Sequence, residues 1–187
     1  MTPVPSGEYE LADGSVERFS CAAGPAGWRY VSPGIDLTLD AAGRQVRVEL
    51  SAGGWLLRGG IAGSEVYWVR YGGPEPVERS AAAAGFTGAS PGFLVAATRL
   101  LRLTPGSRAR LRLVSVTGPA LATRVVEQGW ELAGVTSHPT ELGPLPVARY
   151  RVTELDTGES GEVHVAGDVV LAAPGVQLAS LESPPTL

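Results

Sequence analysis

A chain of 187 residues, 44% hydrophobic and 18% charged, suits one globular domain with a sizeable core and is too apolar for a disordered segment. Its formal net charge of −4 argues against nucleic-acid or anionic-membrane partners, which attract a basic face. A single cysteine, Cys21, excludes an intrachain disulfide and a thiolate metal cluster.

The leading stretch "MTPVPSGEYELADG" has neither a positive n-region nor an apolar h-region, so no secretory signal is expected. No apolar run approaches the roughly 18 residues of a transmembrane helix. The cytoplasm is the expected location. All 15 basic residues are arginine, and with 25 glycines and 15 prolines this reads as codon bias rather than a choice of bidentate anion binders.

Period-two alternation starts early. In "SVERFSCA", Val16, Arg18 and Ser20 share one face, and Glu17, Phe19 and Cys21 share the other. In "GIDLTLDAAGRQVRVEL", Ile35, Leu37 and Leu39 alternate with Asp36, Thr38 and Asp40. After the "AAGR" turn, Val46, Val48 and Leu50 alternate with Arg47 and Glu49. That is a hairpin with one buried face and one wet face. "GGWLLRGG" and "SEVYWVRYGG" continue the meander, with glycines as strand breaks and turns. Residues 72–92 are rich in Gly, Pro and Ala and read as a connection within one domain.

The segment "ASPGFLVAATRLLRLTPG" differs. Ser90 can cap a helix and Pro91 fits its first turn. Phe93, Ala97, Leu100 and Leu101 fall on one helical face, and Pro105-Gly106 stops the element. A helix over about 90–103 with so few polar residues wants burial around most of its circumference, against or inside a sheet. Strands resume in "ARLRLVSVTG", "LATRVVEQGWELAG", "VARYRVTELD" and "GEVHVAGDVVLA". The expected order is about five strands, a helix, then about five strands. The whole chain, 1–187, reads as one domain, ordered over about 6–180, with a loose tail over 182–187.

No motif for a nucleophile, a dinucleotide or a P-loop is present. His138 falls in the apparent loop "TSHPTELGPLP", and His164 sits on a wet strand face. Neither has metal-ligand spacing, so no metal and no cofactor are expected. Asp36 and Asp40 share a face with Thr38 between them. Glu154 and Asp156 share a face beside a turn and read as a solvated edge. Cys21 reads as a packed thiol.

The aromatics are more informative. Trp28, Trp55, Trp68 and Trp130 lie in strand-like stretches, and either plug the core or line a cavity. Phe93 lies on the helix. Arg70, on the Trp68 face, and Arg99, on the helix, carry planar forks suited to an anionic head group.

The layout resembles the LolA/LolB-like superfamily, and within it the glycolipid-binding branch. "VERF", "ASPGFLVAATRLLRL" and "GPALATRVVEQGWELAG", with Gln128 and Trp130, carry the resemblance over roughly Gly7 to Leu171. The branch tends to have acidic residues before Ser-Pro and an Asn after it, and this chain has neither. The resemblance implies a strongly curved antiparallel sheet, an unclosed β-barrel, with one central helix over its concave side. The mainly β fold expected is therefore that sheet, its concave face covered by the 90–103 helix.

The expected function is non-enzymatic binding of a lipid, glycolipid or other hydrophobic small molecule between sheet and helix. The ligand-binding candidates are Trp28, Trp55, Trp68, Arg70, Phe93, Arg99 and Trp130. Two other readings stay open. One is a ligand-free structural or protein-interaction domain, and the other an enzyme with a dispersed acid/base pair. Oligomeric state is open.

Overall fold

The computed structural model describes residues 4–187, so the first three residues of "MTPVPSGEYELADG" lie outside the described residues. The elements in chain order are β1 (Ser6–Leu11), β2 (Val16–Gly24), β3 (Gly27–Ser32), β4 (Ile35–Asp40), β5 (Gln45–Ala52), β6 (Trp55–Ala62), β7 (Glu65–Tyr71), β8 (Val77–Ala82), β9 (Phe86–Thr87), α1 (Pro91–Leu101), β10 (Arg108–Thr117), β11 (Ala122–Thr140), β12 (Gly143–Glu154), β13 (Ser160–Ala166), β14 (Val169–Ala173) and β15 (Val176–Leu181).

All 15 strands belong to one sheet, ordered β8-β7-β6-β5-β4-β3-β2-β1-β15-β14-β13-β12-β11-β10-β9. Neighbouring strands pair antiparallel except β9, which runs parallel to β10. The expected architecture, a mainly β unclosed antiparallel sheet with one helix, is the one observed. The two edge strands β8 and β9 are consecutive in sequence, joined only by residues 83–85. Such a link spans about 14 Å at full extension, so the sheet must curl until its edges nearly meet. No ladder joins β8 to β9, and the barrel stays open.

The curl encloses the core. Leu37, Leu39, Val48, Leu57 and Val66 from one half are buried together with Leu113, Val126, Trp130, Val163 and Val170 from the other. The helix lies inside, touching both β9 and β14. Its start follows from Ser90, whose side chain accepts the Gly92 N–H, and from Pro91 in the first turn. Its end comes two residues before the expected Leu103. Arg102 turns left-handed at φ 46°, and its N–H closes on the Thr98 carbonyl.

Several local expectations are corrected. Nine strands precede the helix and six follow it, because short segments such as "GWRYVS" and "VERSAA" also pair. Residues 72–92 thus contain β8 and β9 rather than a plain connection. "GEVHVAGDVVLA" is two strands, broken where Gly167 takes φ 56°.

Val46 does not point inward. A bulge pairs Leu39 with Gln45 and Thr38 with Arg47, leaving Val46 outside at 45% exposure and Gln45 inside at 4%. Gly59 and Gly60 are not breaks but lie within β6. A Cβ on Gly59 would sit 2.8 Å from the Phe86 ring, so that ring's close approach requires glycine.

His138 lies in β11 rather than a loop. Residues 136–140 pair only with residues 143–147 of β12, as a two-stranded ribbon beyond the reach of β10 and β13. Its outer edges have no neighbours, which is why Pro139, Pro144 and Pro146 are tolerated there. The C-terminal tail is tied down at both ends, where the Glu182 N–H donates to the Ser6 carbonyl and the Thr186 N–H donates to the buried Asp168, each at 2.8 Å.

Candidate ligand cavity

A cavity of about 1130 Å³ opens beside the N-terminal end of the helix. Its apolar walls come from Ile35 and Leu50 on β4 and β5, Leu94 on α1, Val116 on β10, and Val163 and Val176 on β13 and β15. These strands are distant in the sheet order, and the curl brings them around one space. The volume lies just above the usual range of about 300–1,000 Å³ for small-molecule sites.

Polar groups enter this space in an ordered way. The Tyr30 and Ser90 hydroxyls both donate to Oε1 of Glu17, at 2.6 and 2.7 Å. Ser90 therefore caps the helix and holds a carboxylate of β2. Burial, then the Glu17 charge, push the Tyr30 phenol far above its ordinary pKa, so it stays a donor. Across the cavity the Trp130 indole N–H donates to Oε1 of Gln128 at 3.0 Å. Nε2 of Gln128 then donates to Oε1 of Glu154 at 2.6 Å. The Trp130 bond fixes which way the Gln128 amide points, and so which atom faces Glu154. Two carboxylates are thus oriented by the protein, and Ser115 lines the same cavity.

Among solved structures, the fold is similar to that of a DUF1089 family protein from Pseudomonas aeruginosa. The two align with a TM-score of 0.54 and 17% identity over 96% of this chain and 94% of that one. The likeness is one of fold. A second structure, the hypothetical lipoprotein YmcC from Escherichia coli, aligns with a TM-score of 0.41 and 10% identity over 92% of this chain and 79% of that one. No protein-family model matches the chain, and no curated protein does.

The seven residues singled out from the sequence are not gathered at this cavity, and none of them lines it. Trp28 is buried in β3, with the Arg99 guanidinium 5.3 Å above its ring. Trp55 is half-buried in β6 under Arg70, at 4.8 Å, and Arg70 also donates to the Ala120 carbonyl at 3.4 Å. Trp68 is buried edge-on against Phe86, 5.9 Å between centroids. Phe93 is buried on the helix. Trp130, T-shaped against Tyr150, reaches the cavity only through Gln128.

Arg99 is half-buried and lines two smaller recesses. Desolvation lowers its pKa, with the charge of Asp168 opposing. Its Nε has no partner among the described residues.

The polar residues of the cavity carry a sequence signal that aromatic content obscured. Glu17 shares its strand face with Phe19 and Cys21, Ser115 with Leu111 and Leu113, Gln128 with Val126 and Trp130, and Glu154 with Tyr150 and Val152. Each is a polar residue on the apolar face of its strand, where burial without a partner is costly. Glu154 is thus no solvated edge, and Asp156 lies beyond the end of β12 in the turn. The paired aspartates Asp36 and Asp40 face outward, salt-bridged to Arg29 and Arg44.

No three His, Cys, Asp or Glu side chains are placed to hold a metal ion among the described residues. No helix there is long and apolar enough to cross a membrane.

Proposed function

We propose that the protein binds a hydrophobic small molecule or lipid, without transforming it, in the cavity beside the helix. The observation that carries this reading is the cavity of about 1130 Å³, walled by aliphatic side chains and entered by a few oriented polar groups. An apolar ligand body gains roughly 25 cal/mol for each Å² it buries there. The carboxylates of Glu17 and Glu154 meet its polar end. A glycolipid is one form of this ligand, and the resemblance of "ASPGFLVAATRLLRL" and "GPALATRVVEQGWELAG" to the glycolipid-binding branch supports it.

The test is native mass spectrometry of the purified protein against its denatured mass. A bound mass that leaves on denaturation, and is absent from Ala52→Trp, which places an indole in the cavity wall, is the expected result. A bare mass that persists after incubation with a total lipid extract overturns the reading. The weight then moves to a ligand-free interaction domain.

A further inference from the structure

The binding reading says little about the ligand's polar end, but the lining of the cavity is chemically one-sided. Its charged side chains are Glu17, Glu154 and Glu159, and no Arg or His is among its lining residues. The chain as a whole carries 15 basic residues, so their absence from this space is local. Glu17 and Glu154 each accept protein hydrogen bonds on Oε1. No hydrogen bond or ion pair reaches Oε2 of either among the described residues. Each carboxylate is therefore held in place with half its acceptor capacity free.

A second observation is independent of these acids. Ser115 is only 9% exposed, lines the same cavity, and its hydroxyl has no protein partner among the described residues. The hydroxyl opens onto the cavity rather than being sealed in the core, so it is free to bond a ligand group there.

We infer that the cavity selects an amphiphile whose head is a protonated primary amine. This rests on the binding reading above and names its ligand class. The free acceptors call for N–H or O–H donors, and a cation adds charge-assisted bonds of about twice the strength of neutral ones. Anionic heads, such as fatty-acid carboxylates and phosphates, meet only like charge here. A quaternary ammonium has no N–H to donate, and the aromatic cage that binds such groups is absent, since no Phe, Tyr or Trp lines the cavity. The same absence leaves no ring on which a sugar face would stack, so the lining favours an amine head over the glycolipid that the resemblance implies. A primary ammonium has three donors to offer the free oxygen of Glu17 or of Glu154.

The test is calorimetric titration of the purified protein with four dodecyl probes below their micellar concentrations: dodecylamine, dodecanol, laurate and dodecyl maltoside. Dodecylamine is expected to bind about tenfold more tightly than dodecanol, and laurate the most weakly. In the double variant Glu17→Gln, Glu154→Gln the gap between amine and alcohol is expected to fall to about threefold or less. The wild-type series decides the matter even where that variant folds poorly.

Equal binding of amine and alcohol, or a preference for laurate or the maltoside, overturns the amine assignment while leaving cavity binding intact. An amine preference that persists undiminished in a folded double variant also overturns it. Failure of all four probes overturns both readings.

Discussion

Gln45 grips Phe86 with both atoms of its side-chain amide. Its Oε1 accepts the Phe86 N–H at 2.7 Å, and its Nε2 donates to the Phe86 carbonyl at 2.9 Å. Gln45 sits in β5 and Phe86 in the edge strand β9, eleven places apart in the sheet order. The pair braces the open seam from inside, where no strand ladder runs. Both residues are buried, at 4% and 1% exposure. Gln45→Leu keeps the shape but strands two buried backbone groups, each costing about 1–3 kcal/mol. A loss of about 2–4 kcal/mol is expected in urea denaturation. A loss below about 1 kcal/mol would show that water reaches the seam.

Gly92→Ala tests the packing of the helix against β3. Gly to Ala inside a helix normally stabilises by about 0.5–1 kcal/mol. Here the added Cβ would lie 2.7 Å and 2.9 Å from atoms of the Tyr30 ring. That ring is 1% exposed and tethered through its hydroxyl to Glu17, so it has little room to move. Overpacking of this kind costs about 1–3 kcal/mol and outweighs the gain. The variant is expected to melt below the wild type, and a raised Tm would contradict the close contact.

Acid sensitivity has an identifiable source on the outer face. Hydrogen bonds from Arg29 hold the Asp36 carboxyl below its ordinary pKa of 3.8. The backbone N–H of Arg44 leads in doing the same for Asp40. A depressed folded-state pKa means stability that is fully present above the unfolded value and lost as pH falls through the folded one. Stability is therefore expected to decline as pH falls below about 4. The double variant Asp36→Asn, Asp40→Asn is expected to show a shallower decline in urea midpoints taken between about pH 5 and pH 2. Both aspartates are at the surface and screened, so the change is modest. A wild-type curve no steeper than the variant's would remove these two groups as the cause.

The Cys21 thiol is expected to be inert in the folded protein. It is 1% exposed and donates to the Asp168 carbonyl at 3.6 Å. Burial, then the Asp168 charge, push its pKa up, so the reactive thiolate is scarce near neutrality. Iodoacetamide is expected to leave the native mass unchanged over an hour and to add one adduct in urea. Rapid native labelling would mean that β2 opens readily beside β14.

Much of the architecture is legible because its causes are local. Alternation along "IDLTLD" and "RLRLV" depends only on each strand having one apolar face, and both segments are strands as read. Ser90 and Pro91 start the helix through their own side chains, so its N-terminus stands where the sequence puts it. The strand count was less legible, since "VERSAA" has little apolar content and pairs only because β7 offers it an edge. The inward turn of Gln45 needed a bulge that no periodicity announces.

Where alternation runs unbroken, the sequence by itself determined which residues face inward, since that follows from periods of two and of about 3.6 residues. It therefore already held Glu17, Ser115, Gln128 and Glu154 on apolar faces. Only the tertiary structure decided that these four meet at one cavity while the tryptophans disperse. Their meeting depends on how far a 15-stranded sheet curls, and on a three-residue link that pulls its two edges together. Curl is the sum of small twists over many strand pairs, and no single segment encodes it.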